Sequence, residues 1–280
     1  MSLSKQLRTF LVELTDLKKL DECVSRKNRE THPIVSFTSV PQRLELIKGT
    51  LVSLLKQSVP PKEIHINLGE NLFKTKALPA FLRDLKTVKI FWIEKDCGPA
   101  TKYLPTLERF ENVDQLLIIC DDDMYYSKNL LKCLLEADKA GGSKSCYCIN
   151  GLRLPADFKS ESRPSDKAIK SGMKKVAIVE GCGGYSLRPK FVDVKALKNK
   201  DGAPARAYYD DDFWLSGHLS RRHIEKFQIV AGRRKSLANT TASAITGDRA
   251  QLQTDLMAFF KNDWAPDEIE PPSENKINFY

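Results

Sequence analysis

Gln115-Leu116-Leu117-Ile118-Ile119-Cys120-Asp121-Asp122-Asp123 sets a short apolar run directly against three consecutive carboxylates. A run this short, apolar and bounded by charge reads as a buried strand, because it is well below helical length. Carboxylates crowded at the end of such a strand repel one another, which is costly unless a cation neutralises them. Side chains alternate along an extended chain, so Asp121 and Asp123 share a direction that Asp122 does not. A hard divalent cation, Mn2+ or Mg2+, takes one or two such carboxylates and completes its shell with water and phosphate oxygens. A solvated acidic turn is the plainer alternative, and the buried strand leading into the motif weighs against it.

The same rhythm recurs upstream. Residues 33–38 form a β-branched run, and residues 43–57 follow with Leu44, Leu46, Ile47, Leu51, Leu54 and Leu55 at helical spacing. Pro60-Pro61 stop that helix, residues 63–68 read as a second strand, and a helix is expected over 78–85. Residues 88–93 make a third strand, and a helix over 101–110 leads into the run at 115–120. Strands alternating with helices at this spacing predict an α/β fold, a mostly parallel central sheet flanked by helices. Downstream, the polar, basic stretch 152–175 is expected to be a long excursion or lid rather than a core element. Residues 176–179 resume order, helices are expected over 210–221 and 248–260, and 228–230 is a candidate last strand. At the other end, Leu3, Leu7, Phe10, Leu11, Leu14, Leu17 and Leu20 predict an amphipathic helix over 3–24.

With 280 residues, 41% apolar and 29% charged, the chain can bury a substantial core and is not a disordered polymer. No apolar run approaches the roughly 20 residues that span a bilayer, and the N-terminus lacks the unbroken core of a secretory signal. A cytoplasmic location is therefore expected, with peripheral membrane contact through the first helix as the lesser reading. The seven cysteines are scattered without a CxxC pair, which favours reduced thiols over disulfides or zinc. A net charge of +9 favours anionic ligands. Its clusters are short (Lys174-Lys175, Arg221-Arg222, Arg233-Arg234-Lys235), so nucleic acid is not the expected partner.

Ligands of open α/β sheets sit at the carboxyl ends of the strands. Three further strand ends carry suggestive residues. Thr38-Ser39-Val40-Pro41-Gln42-Arg43 supplies hydroxyls and a cation. After the third strand comes Asp96-Cys97-Gly98-Pro99-Ala100-Thr101-Lys102, an acceptor, a forced turn and a lysine opening a helix, where anions are favoured. Glu180-Gly181-Cys182-Gly183-Gly184-Tyr185 would let backbone approach a ligand closely.

Taken in order, SFTSVPQR, KDCGPATKYLPTLE, LLIICDDDMYY, EGCGGYSLRP and YYDDDFWLSGHL resemble the GT-A-type, Rossmann-like nucleotide-sugar glycosyltransferases, and most of all bacterial and viral enzymes close to glycosyltransferase family 2. The resemblance covers about residues 33–220. It implies a DxD motif with Asp123 as direct metal ligand and Asp121 nearer the ribose, with Asp122 between them. It implies that Thr38, Ser39, Pro41 and Arg43 line the nucleotide, that Asp96 meets the base, that Gly98, Pro99 and Asp122 belong to the same nucleotide and donor site, and that Lys102 meets the nucleotide or its phosphates. Gly183 and Gly184 would border the donor sugar and the acceptor. In Tyr208-Tyr209-Asp210-Asp211-Asp212, either Asp212 or Asp211 matches the general base of inverting members, and N-capping is the structural alternative for one of the three. The implied organisation is an N-terminal helix over 1–30, a catalytic domain over 31–224 with halves at 31–125 and 126–224, and a C-terminal extension over 225–280 packed on the core. The implied partners are a nucleotide-sugar donor, a UDP-sugar by preference, and a glycan or other hydroxyl acceptor. The chain departs from the processive members: it has neither a QxxRW-like element nor a transmembrane helix.

His218 and His223 are candidate extra metal ligands, with a structural place in the helix as the stronger reading. Two rivals stand beside glycosyl transfer. One is metal-dependent nucleotidyl or phosphoryl transfer; the other is a non-catalytic module binding nucleic acid or glycan.

Overall fold

The computed structural model describes residues 11–27, 29–162, 169–231, 235–236 and 248–270. Its strands in chain order are β1 (Ile34–Thr38), β2 (Ile64–Gly69), β3 (Val88–Ile93), β4 (Leu117–Ile119), β5 (Met124–Tyr125) and β6 (Cys146–Cys148). There follow β7 (Gly151–Leu152), β8 (Met173–Lys175), β9 (Ile178–Val179), β10 (Tyr185–Leu187), β11 (Lys226–Ile229) and β12 (Lys235–Ser236). Eight of them form the central sheet, in the order β3-β2-β1-β4-β10-β6-β11-β8. The pairs β3–β2, β2–β1, β1–β4 and β6–β11 are parallel, while β10 runs against both β4 and β6, and β8 against β11.

The chain moves outward from β1 through β2 to β3, then returns to lay β4 on the opposite side of β1. That reversal makes the β1/β4 border a switch point, where connections leave in opposite directions and open a crevice at the carboxyl ends. Thr38 ends β1 there, and Asp121 lies just past β4.

Both sheet faces are covered, as nearly continuous apolar strands require. Ile34, Leu117, Ile119 and Tyr185 point into a core shared with the helices Leu104–Arg109, Asp211–Arg221 and Arg249–Phe259. Val35, Phe37, Ile66 and Ile118 point into the other core, with Lys48–Leu55 and Leu130–Ala140. One polar line crosses the first face: Ser36 and Asn67 are fully buried because Ser36 Oγ donates to the Lys102 carbonyl at 2.6 Å and meets Thr106 Oγ1 at 2.8 Å.

Several elements differ from the sequence reading. The first helix is not continuous over 3–24: Asp16 caps a new helix, Leu17–Ser25, and residues 3–10 lie outside the described residues. That helix is held by Asp21, whose carboxylate accepts the amides of Lys86 and Thr87. Over 78–85 only a 3-10 turn forms, Ala80–Leu82, ending near Asp84 at φ 59°. The helix expected over 43–57 begins at Lys48, after a 3-10 turn at Pro41–Arg43, because Pro41 suits a first turn and nothing caps an earlier start. The segment 152–175 is not a simple excursion. Leu152 and Leu154 are buried and Met173–Lys175 closes the sheet edge against β11, while residues 163–168 lie outside the described residues. Ile178–Val179 pairs with β7 in a small separate sheet, and the sheet strands β6 and β10 had no counterpart in the sequence reading.

Candidate active site

Lys102 is the centre of the crevice. It ends the 3-10 turn Gly98–Lys102, and its side chain is only 5% exposed. Its ammonium lies 2.9 Å from Asp121 Oδ1, 2.9 Å from Asp211 Oδ2 and 3.4 Å from Asp212 Oδ1. Burial alone would lower its pKa, but the three carboxylates outweigh burial and hold it well above the ordinary lysine range. Hydrogen bonds to Asp121 and Asp212 and an ion pair with Asp211 leave this lysine as a tie between the end of strand β4 and the helix Asp211–Arg221. A direct hold on a ligand phosphate, as the resemblance implied, would require one of those contacts to open.

The acids respond in turn. Burial pushes Asp211 up to about 6 against the pull of Lys102, and burial likewise raises Asp212, with Asp211 and Asp121 adding repulsion. Asp212 also accepts the Gly181 amide with both oxygens, at 3.2 and 3.3 Å. Gly181 has no room for a side chain: a Cβ there would sit 2.5 Å from Lys102 Nζ and 2.6 Å from Asp121 Oδ1. Asp210 turns away from this cluster, toward the C-terminal helix.

Alternation along the acidic triplet separates its members. Asp121 and Asp123 line the crevice, whereas Asp122 points inward, accepting from Ser39 Oγ at 2.6 Å and from Arg43. Burial pushes Asp122 up to about 7, with Arg43 and Ser39 pulling it back. Arg43 also reaches Asp123 Oδ2 at 3.0 Å, so one guanidinium fixes two of the three carboxylates. Thr50 Oγ1 donates to the Asp122 and Met124 carbonyls, and the Tyr126 hydroxyl accepts the Asp121 amide at 2.8 Å. The loop is therefore held on backbone and side chain alike.

These groups open onto a cavity of about 650 Å³, within the range of small-molecule sites. Of the residues singled out from the sequence, Thr38, Ser39, Arg43, Asp96, Gly98, Pro99, Lys102, Asp121, Asp123, Asp211 and Asp212 line it. Pro41 lines a neighbouring groove instead, and Gly183 and Gly184 are not among the lining residues. Gly184 supplies the positive φ of 81° in the turn before β10, and Gly183 abuts Asn150. Asp96 lines the cavity, but its oxygens already accept the Gly98 amide at 2.7 Å and the Thr101 hydroxyl at 2.9 Å, which builds the turn that presents Lys102. Gly98 sits at φ 63°, a conformation that favours glycine.

The sequence reading missed Arg206, Tyr209 and Arg249, which also line the cavity. Arg206 and Tyr209 precede the acidic triplet at 210–212 in the chain, which was their only signal. Arg249 arrives on the C-terminal helix, and no local pattern shows where that helix docks. His218 and His223 lie elsewhere: His218 is packed between Trp214 and Phe260, and His223 follows the helix at φ 58°.

Among the described residues, no group of three or more His, Cys, Asp or Glu is placed to hold a metal by itself. The donor set is of the open kind, two carboxylates on the cavity wall, which suits a hard cation that takes its remaining ligands from water and phosphate. All seven cysteines are free thiols.

No family model matches the chain, and no curated protein matches it either. Among solved structures it is similar to a mannosyltransferase from Pyrobaculum calidifontis in complex with GDP-Man and Mn2+, at 13% identity and a TM-score of 0.52, covering 93% of this chain and 76% of that one. A putative glucose-1-phosphate thymidylyltransferase from Bacillus anthracis, in complex with a sucrose, aligns at 10% identity and a TM-score of 0.44, over 85% of this chain and 99% of that one. The first likeness, at this identity, is one of fold.

Proposed function

We propose that this chain is a glycosyltransferase that moves a sugar from a nucleoside diphosphate-sugar to an acceptor hydroxyl, with a divalent cation and with inversion at the anomeric carbon. The observation that carries the reading is the placement of Asp121 and Asp123 on the wall of the switch-point cavity, across Lys102 from Asp211 and Asp212. Two carboxylates for a metal-bound diphosphate and two for an acceptor thus meet in one cavity. That a protein of the same fold carries GDP-Man and Mn2+ supports a nucleotide-sugar as the donor here.

In this reading Asp121 and Asp123 hold Mn2+ or Mg2+, which when bound stabilises the charge growing on the leaving diphosphate. Thr38, Ser39 and the turn Asp96-Cys97-Gly98-Pro99 border the nucleoside. Asp211 is the base: it takes the acceptor proton as the acceptor oxygen bonds to the anomeric carbon, and the bond from that carbon to the diphosphate breaks with its electrons leaving on the diphosphate. Asp212, held by the Gly181 amide and Lys102, orients the pair.

The test is incubation with UDP- and GDP-sugars plus hydroxyl acceptors, reading diphosphate release and the product anomer by NMR. Release with inverted configuration, lost in Asp211→Asn, is expected. Retained configuration contradicts the base assignment, and release of pyrophosphate from a nucleoside triphosphate with a sugar phosphate puts nucleotidyl transfer in its place.

A further inference from the structure

Arg206, Tyr209 and Arg249 line the cavity, yet the proposed reaction uses none of them. Their construction is specific. Asp210 is fully buried, and its Oδ2 accepts Arg249 Nε at 2.8 Å and Gln253 Nε2 at 2.7 Å. Among the described residues its Oδ1 has no hydrogen-bond partner, so the acid bears a desolvation cost. What it holds in return is an arginine whose side chain is 55% exposed. A buried acid gripping a cation on a cavity wall fixes where that cation points. The contact uses Nε, and the remaining donors of the guanidinium sit on its two Nη atoms, the edge that grips carboxylate or phosphate in bidentate fashion. Beside it, Arg206 Cζ stacks 4.5 Å over the ring of Tyr209, and that tyrosine is 44% exposed. A cation-backed aromatic ring on a cavity wall is a rigid platform for a sugar face.

Position decides which substrate this lip meets. The turn Ala207–Asp210 runs straight into Asp211, and Arg249 is tied to Asp210, so these groups flank the proposed base. On the acidic wall, Asp123 has its own cation in Arg43 and Asp121 has Lys102. We infer that Arg206, Tyr209 and Arg249 form an acceptor subsite for a sugar that carries a negative charge, a carboxylate or a phosphate monoester. The word acceptor rests on the proposed glycosyl transfer; the anion site does not.

The experiment saturates the full chain with nucleoside diphosphate and Mn2+, then titrates methyl β-glucuronide, glucose 6-phosphate and methyl β-glucoside by calorimetry. At least one charged sugar binds about tenfold or more tighter than the neutral glucoside, and the better of the two names the anion. Arg206→Gln removes that margin and leaves nucleoside diphosphate affinity within about twofold. Arg249→Gln does the same but also strips buried Asp210 of its counter-charge, leaving it only the Gln253 amide, so Arg206→Gln carries the test if that variant does not fold. Equal binding of charged and neutral sugars overturns the inference, as does a substitution that weakens the nucleoside diphosphate instead. Charged-sugar binding by a protein that takes up no nucleoside diphosphate upholds the anion site and contradicts glycosyl transfer.

Discussion

Lys102 joins Asp121, Asp211 and Asp212, and among the described residues no other cation is paired with all three. Removing one partner of a buried charge cluster costs more than the cluster ever contributed, because the remaining charges stay buried. Lys102→Met is therefore expected to lose about 3 kcal/mol in urea unfolding, with Lys102→Arg recovering part of it; a loss below about 1 kcal/mol would show that the tie is not structural. Asp211 gives a pH signature. Its folded pKa is raised by burial from 3.8 to about 6, so its favourable contribution is complete below 3.8 and declines as pH rises through about 6. Stability from this group falls across that window while activity is expected to rise if Asp211 is the proposed base, which acts only when ionised. Asp211→Asn is expected to flatten the stability profile between pH 4 and pH 7; an unchanged slope would assign it to other groups. Much of this cluster was legible, because alternation separated Asp122 from Asp121 and Asp123 and because a triplet of acids needs a counter-charge. Lys102 was singled out for phosphate instead, since nothing local in the sequence says that two acids more than a hundred residues later fold onto it.

The helix Asp211–Arg221 shows how element packing sets the site. Gly217 faces Phe260 on the C-terminal helix's far end, and a Cβ would collide with that ring. Gly217→Ala gains up to about 1 kcal/mol of helix propensity but forces Phe260 to move, which costs about 1–3 kcal/mol. A net loss in thermal unfolding is expected; a stabilised variant would mean the two helices do not pack this closely. His218 on the same helix is pushed down to about 4 by burial, with Arg221 adding to the effect. Its contribution to stability is thus lost as pH falls from 6.5 toward 4, opposite in sign to Asp211. His218→Leu should remove that acid-side loss, measured by urea unfolding at pH 4 and pH 7, and an undiminished loss would contradict the burial. The strongly patterned elements, β1 to β4 and the helices Asp211–Arg221 and Arg249–Phe259, were legible from apolar runs and spacing. The strands β6 and β10 are three residues each, Cys146–Cys148 and Tyr185–Leu187, and unlike the equally short β4 they are not embedded in a longer apolar run. The turn Ala80–Leu82 had helical composition, but Pro79 and the positive φ of Asp84 bound it to one turn.

Across the whole molecule, the described C-terminal residues are built into the sheet. Lys226, fully buried on β11, pairs with Glu268 at 2.6 Å, and Glu268 also accepts from Ser220 at 2.9 Å. Leu154 and residues 268–270 exchange backbone hydrogen bonds at 2.9 and 2.7 Å. Glu268→Gln leaves a buried ammonium without its counter-charge and is expected to cost about 3 kcal/mol, read as a single cooperative urea transition; two separate transitions would make the C-terminal residues an independent module. The same segment delivers Arg249 to the cavity, so fold and site depend on it together. The central claim is that the switch-point cavity takes a metal-bound nucleoside diphosphate through Asp121 and Asp123. Calorimetric titration of UDP and of GDP, with and without Mn2+, on the wild-type chain and on Asp123→Ala tests it most directly. Binding of one diphosphate that requires Mn2+ and weakens about tenfold or more in Asp123→Ala is expected. No binding of either diphosphate with Mn2+ present, or binding that Asp123→Ala leaves unchanged, would contradict it.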